Sequence, residues 1–313
     1  MPTKLESAVG YGTLQVLIPS WERSLRADKS PRTLRTYIDS ARIFETFCRD
    51  KLGITTVDGI TRDTIETWMA DQREHGYKST TRSVRYRAVQ QFIRWLIEEG
   101  ELQTNPMEHT KPPKLDEVPV PIVLDDDLKK LLKTCGGPSF EDRRDEAIIR
   151  VFLDCGVRLA ECVGLRYSPD PKADSDVDLS QDVLVVTGKG RVTRSIPFGA
   201  KTSKALDKYL RLRPRHPQAK SSMLWLAHKG ALTASGIEQM IERRCDAAGI
   251  ERVHPHQFRH TAAHTWLAAG ESEGDAMRLF GWKSRTMLDR YGKSAADERA
   301  RAAHRRAALG DRV

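Results

Sequence analysis

Between Thr104 and Leu124 the chain reads TNPMEHTKPPKLDEVPVPIVL, with Pro112, Pro113, Pro119 and Pro121 falling within ten residues. Proline has no amide proton to donate and its ring fixes φ. Neither a continuous helix nor a central strand can therefore run through this stretch, and an extended connection is expected. It divides 313 residues into two parts, each long enough for a core of its own. The expected organisation is a tail over 1–12, a helical domain over 13–109, a Pro-rich linker over 110–123 and a second domain over 124–313.

In the first part Leu34, Tyr37, Ile38, Ala41, Phe44 and Cys48 recur at helical spacing. Ser30 before Pro31 is an N-cap followed by proline at the first helical position. Further helices are predicted over 62–75 and from Ser79 to Glu99, the latter with Val84, Ala88, Phe92 and Leu96 on its apolar face. Its other face carries Arg82 and Arg85, Lys78 lies just before it, and no Asp or Glu occurs between Glu74 and Glu98. Such a basic ridge suits phosphate contacts in a DNA groove. A solvated helix face is the alternative.

In the second part DDDLKKLLKTC places acids before lysines, as a helix dipole favours. RRDEAIIRVFLDCG continues as helix, with Gly156 as its stop. Strands are predicted at Val183–Thr187 and Val192–Ile196, joined by GKGR, whose glycines flank Lys189 as hairpin turns require. The segment RYSPDPKADSDVDLSQD before them reads as a loop. Helices are expected at 200–212, 233–248, 257–269, 274–280 and 284–291, followed by an Ala/Arg-rich segment over 295–309. The fold class is mainly α in two domains, the first all-α and the second α+β with a small antiparallel sheet.

A hydrophobic share of 39% with 30% charged residues fits a soluble globular chain. The first 110 residues hold 16 Lys/Arg against 15 Asp/Glu. The remainder holds 36 against 28, so most of the net charge of +9 sits in the second part. The excess points to a polyanionic partner, DNA or RNA, ahead of a membrane. No apolar run reaches the ~20 residues that cross a bilayer. The opening MPTKLESAVGYG lacks the basic-then-apolar layout of a signal peptide, so a cytoplasmic protein is expected. The five cysteines are odd in number, dispersed and free of CxxC pairs. That argues against a disulfide framework and a thiolate zinc site.

The chemical signal is spread along the second part. Arg158 and Glu161 lie in CGVRLAECVGL, Lys189 in VTGKGRVTRSIPF, His256 and Arg259 in HPHQFRHTAAH, and Trp282 in LFGWKS. Tyr291 lies in MLDRYGK, nine residues after Trp282. Arg158 with Glu161, and His256 with Arg259, are three apart and share a helical face. Singly these residues have ordinary explanations: a surface ion pair, a solvated turn lysine, a core tryptophan. His254, His256, His260 and His264 raise the idea of a metal site. His260 and His264 are four apart but lack the glutamate of HExxH and a third ligand. Neither metal nor other cofactor is expected.

In this order and context the set resembles the active site of the tyrosine recombinases, the phage integrase family. GVRLAECVGL follows the family's Gly-apolar-Arg-x-x-Glu-x-x-x-Leu block, and HQFR its His-x-x-Arg box. The resemblance implies an all-α core-binding (SAM-like) domain, an α+β catalytic domain and metal-independent DNA strand exchange. It implies that Arg158 and Arg259 clamp the scissile phosphate and that Tyr291 attacks it. Lys189 donates a proton to the leaving 5′ oxygen, His256 assists proton transfer, Trp282 supports the transition state and Glu161 orients the site. His260 is then structural. The chemistry is coherent, because an anionic phosphodiester needs cations on its oxygens, an in-line nucleophile and a proton donor. Arg191 and Arg194 join Lys78, Arg82 and Arg85 as candidate DNA-backbone contacts.

Many members carry histidine where Trp282 stands; an indole N–H only donates and cannot shuttle protons. The resemblance implies double-stranded DNA with core-type attachment sites, a homotetramer on that DNA and a Holliday junction. It also implies a C-terminal tail exchanged between protomers, here AADERARAAHRRAALG. A directionality factor is a candidate further partner, a membrane is not, and a bacterial cytoplasm with nucleoid association is the expected location. With about a dozen residues ahead of the helical domain, a compact member without an arm-binding domain is expected. Trp282 and the Ala/Arg-rich tail favour a phage or mobile-element integrase. A Xer-like dimer resolvase, a type IB topoisomerase-like nicking-closing enzyme and a catalytically silent DNA-binding regulator are the alternatives.

Overall fold

The computed structural model describes residues 12–116, 121–170, 173–188, 190, 192–288, 300, 301 and 304–308. Two compact units, Met1–Val118 and Pro119–Val313, make up the chain. Among the described residues no helix is long and apolar enough to cross a membrane.

The first unit is built from helices α1 (Leu14–Leu25), α2 (Pro31–Leu52), α3 (Arg62–Glu74) and α4 (Ser79–Glu98). Helix α2 starts as the sequence predicts: the Ser30 hydroxyl accepts from the Thr33 amide, and Pro31 opens the helix. It ends at Gly53 in the left-handed region, φ +68°. Thr61 and Thr64 cap α3 reciprocally. The core gathers Trp21, Phe44, Trp68, Tyr86 and Phe92, with Phe44 and Trp68 meeting edge to face at 4.9 Å. In α4 the buried stripe is Tyr86, Ala88, Val89, Phe92, Ile93 and Leu96. Val84, expected on that stripe, is 48% exposed. Each four-residue step overshoots a full turn by ~40°, so three such steps from Leu96 carry Val84 off the buried face.

After α4 the chain stays on this unit. The hydroxyls of Tyr86 and Thr110 share a 2.6 Å hydrogen bond, and the Asp116 amide donates to Ser79 Oγ at 3.1 Å.

The second unit holds α5 (Asp125–Lys133), α6 (Phe140–Cys155), α7 (Leu159–Val163), α8 (Ala200–Leu212), α9 (Ala234–Ala248), α10 (Pro255–Ala268) and α11 (Glu273–Phe280). A three-stranded antiparallel sheet runs in the order β1 (Val177–Asp178), β2 (Val183–Thr187), β3 (Thr193–Pro197). A small hairpin adds β4 (Leu226–Ala227) and β5 (Gly230–Ala231). The predicted hairpin is present in register, Thr187 facing Thr193. Its second strand starts one residue late, because the Val192 carbonyl closes the turn by accepting from the Gly188 amide. The expected loop 166–182 contributes β1, which pairs Val177 with Leu184.

Helix α6 packs against α8 and α10, with Phe152 stacked on Phe258. The Asp154 carboxylate holds the start of α8 by accepting from the Gly199 amide and the Thr202 hydroxyl. The Val123 amide donates to Thr261 of α10 at 2.9 Å, tying the start of this unit to the helix with the His-x-x-Arg box. All five cysteines are free and buried. Burial pushes the Cys48 thiol up to about 12 and the Cys135 thiol to about 11, far from nucleophilic use.

Candidate active site

Arg158 is the N-cap of α7, in extended conformation. Its backbone amide and its guanidinium both donate to Glu161, to Oε2 and Oε1 respectively, each at 2.8 Å. The i, i+3 spacing thus works as a helix cap as well as an ion pair. The far end of α7 is fixed by the Trp225 indole, which donates to the Cys162 carbonyl at 3.0 Å.

The Glu161 side chain is 3% exposed. Burial raises its pKa, but hydrogen bonds from Arg194 and Arg158 outweigh that and hold it down at about 2. The carboxylate is therefore ionised at any relevant pH.

Arg194 departs from expectation. Read as a DNA-backbone contact, it is turned inward with its side chain 14% exposed. Two of its nitrogens grip the two Glu161 oxygens at 2.9 and 2.8 Å, and its Nε donates to the Leu279 carbonyl at 2.8 Å. The signal was in the strand alternation: Arg194 and the buried Ile196 are two apart and share a face of β3.

Arg259, on α10, is 1% exposed. It donates to the Gly156 carbonyl at 2.6 Å and to the Phe280 carbonyl. Its guanidinium lies 5.7 Å from the Phe280 ring centre and 5.8 Å from that of Trp282. Arg158 also donates to the Gly281 carbonyl at 3.3 Å. Three arginines from three elements thus reach three successive carbonyls, Leu279, Phe280 and Gly281, at the end of α11. A helix C-terminus leaves its last carbonyls unpaired and carries partial negative charge, so guanidinium groups belong there.

Two glycines missed as site residues make this geometry possible. Gly156 caps α6 at φ +55°, and a Cβ there would lie 2.4 Å from the Phe280 ring. Gly281 caps α11 at φ +62°, and a Cβ there would lie 3.1 Å from Arg194. A glycine directly after a helical run is the sequence signal for such a cap. Trp282 follows Gly281, 5% exposed, its ring 5.0 Å from Phe280.

His256 is exposed at the start of α10 and His260 buried one turn on. Their Nε2 atoms are 3.2 Å apart, so one ring donates to the other. Among the described residues no group of three His, Cys, Asp or Glu side chains gathers as a metal site.

The second unit brings together Arg158, Glu161, Arg194, Arg259 and Trp282. Lys189, Arg191 and Tyr291 lie outside the described residues, as does most of the Ala/Arg-rich segment 295–309. In the first unit Lys78 is exposed, while Arg82 and Arg85 are half-buried. Arg85 stacks 4.1 Å over Tyr77 and donates to Gln72.

The sequence profile of the phage integrase family matches residues 122–298, and that of the phage integrase N-terminal SAM-like domain matches residues 18–100. The chain belongs to the phage integrase family. This family member is a tyrosine recombinase, a site-specific DNA recombinase, with the expected SAM-like and catalytic domains. It is 27% identical over 287 residues to the tyrosine recombinase XerC of Oceanobacillus iheyensis, covering 89% of this chain and 91% of that one. It is 29% identical over 267 residues to the tyrosine recombinase XerD of Listeria monocytogenes, covering 83% and 86%. The fold of this recombinase is similar to that of the Tn1549 transposon integrase in complex with transposon right end DNA. The TM-score is 0.75 at 20% identity, covering 95% of this chain and all of the other.

Proposed function

We propose that this recombinase cleaves and rejoins double-stranded DNA at a specific site through a 3′-phosphotyrosine bond formed by Tyr291. The observation that carries the reading is the convergence of Arg158 and Arg259, distant in sequence, on the carbonyls of Gly281 and Phe280. This convergence lies just before Trp282 and the segment that leads to Tyr291. In the cleavage step the Tyr291 oxygen attacks the phosphorus, a new O–P bond forms and the bond to the 5′ oxygen breaks. Lys189 supplies that oxygen with a proton. His256, hydrogen-bonded to His260, takes part in moving the phenolic proton, and Glu161 orients Arg158. The 5′-hydroxyl of a partner strand reverses the sequence, so the phosphodiester energy is conserved without ATP. Arg259 is nearly inaccessible, so contact with a phosphate requires covering chain to move when DNA binds.

The XerC and XerD relatives support a Xer-like resolvase of chromosome or plasmid dimers over the phage or mobile-element integrase expected from Trp282 and the tail. Exchange then proceeds in a tetramer through a Holliday junction, with the segment 295–309 packed into a neighbour. The first unit grips the DNA, Lys78 being its exposed candidate contact.

The test is covalent trapping. The protein is incubated in EDTA with nicked suicide duplexes made from its own genome, and the covalent ends are sequenced. An SDS-resistant adduct, lost in Tyr291→Phe, is expected. Ends at one chromosomal site support the Xer-like reading, and ends at the borders of a mobile element support an integrase. Closure without junctions marks a topoisomerase-like enzyme. DNA binding without adduct marks a silent regulator and overturns the proposal.

A further inference from the structure

We propose that Arg194 is a positioning residue for cleavage, one that keeps the charge of Arg158 directed at the DNA phosphate instead of at Glu161. This rests on the reading of Arg158 as a phosphate-binding residue.

An ionised group taken from water must be matched by charge and by hydrogen bonds. Glu161 has two suitors of different exposure: the Arg158 side chain is 42% exposed, that of Arg194 only 14%. Arg194 takes both oxygens in a forked, bidentate pairing. Arg158 is left with a single guanidinium bond to Oε1. The three groups together carry one net positive charge, and its outward share lies on Arg158. Without Arg194, both Glu161 oxygens would be open to the Arg158 fork. The pair would be neutral, and its guanidinium would be drawn toward the protein interior.

Arg194 also joins three elements. It stands on β3, in the hairpin whose turn carries Lys189. The Gly188 backbone at the base of that turn packs so closely that a Cβ there would lie 3.3 Å from Glu161 Oε1. The Nε–H of Arg194 holds Leu279 on α11, two residues before the carbonyl that receives Arg158. One side chain thus fixes the hairpin, the cap of α7 and the end of α11 relative to one another.

The test uses the full chain, with R194Q, R194K, E161Q and the double variant R194Q/E161Q, on a nicked suicide duplex carrying the site recovered by trapping. Adduct formation by the unaltered protein checks the recombinase reading separately. Against it, R194Q is expected to bind the duplex within about threefold of normal and to form adduct at saturating DNA about tenfold more slowly. Removing the carboxylate as well frees Arg158, so R194Q/E161Q is expected to recover about threefold over R194Q. R194K keeps a cation for the buried carboxylate and guards against simple unfolding, but loses the fork. Slower cleavage at unchanged affinity is expected of it too. A further readout needs no DNA: in carboxyl NMR, Glu161 is expected to titrate at about 2 in the unaltered protein and higher in R194Q. Wild-type cleavage by folded R194K or R194Q overturns the proposal. So does affinity falling in step with cleavage, which would make Arg194 a DNA contact. So do losses that simply add in the double variant, as for a role in folding alone.

Discussion

At the scale of single residues the site is a problem in holding positive charge. Arg158, Arg194 and Arg259 crowd the end of α11, and Arg158 and Arg194 share the buried anion Glu161. Its pKa is depressed to about 2 from an ordinary 4.5. A depressed carboxyl adds stability above its unfolded pKa, and that stability is lost as pH falls through the folded value. A contribution on the order of 3 kcal/mol is therefore expected, full at neutral pH and removed between about pH 4.5 and 2. Thermal melts across that range should fall steeply for the unaltered protein and less so for Glu161→Gln. Arg259→Lys keeps the charge but loses the planar fork that reaches Gly156 and Phe280. Single-turnover cleavage is expected to drop by about 10²–10³ in that variant, as when one preorganised donor is removed from a transition state. The Arg158–Glu161 pair was legible in the sequence because the N-cap and the third residue of a helix, three apart, cap one another. The inward turn of Arg194 was not. It depends on which face of β3 meets the core, and the alternation with Ile196 was its only trace.

At the scale of elements, glycines decide how closely the pieces approach. Gly156 and Gly249 both end helices in the left-handed region, at φ +55° and +64°. A Cβ on Gly249 would meet nothing within 4 Å, while one on Gly156 would strike the buried Phe280 ring. Gly249→Ala is expected to cost about 1–2 kcal/mol for the backbone alone. Gly156→Ala adds overpacking of about 1–3 kcal/mol to a similar backbone term. Denaturant melts of the two variants check this difference, and equal losses would mean that the α6–α11 approach is softer than the structure indicates. Helices and the Gly-flanked hairpin were legible from period, caps and turn chemistry. Strands of two residues, β1, β4 and β5, were not, because a two-residue segment carries no period. Nor can side-chain patterning mark the carbonyls of Leu279, Phe280 and Gly281, since every residue has one.

At the scale of the whole molecule, the proline-rich stretch and the charge excess of the second part set the plan: a helical unit, and a basic unit that gathers the cations. The division was readable because proline excludes regular structure by covalent geometry. Chain order placed the candidate catalytic residues in the second part. Only the fold shows that its arginines meet where α11 ends. The central claim is that this gathering serves Tyr291, and the most direct test is to find where the DNA becomes attached. Adduct formed on a suicide duplex would be digested with nuclease and protease, and the nucleotide-bearing peptide identified by mass spectrometry. A nucleotide linked through its 3′-phosphate to Tyr291 is expected. Attachment at any other residue, or through a 5′-phosphate, would contradict the claim.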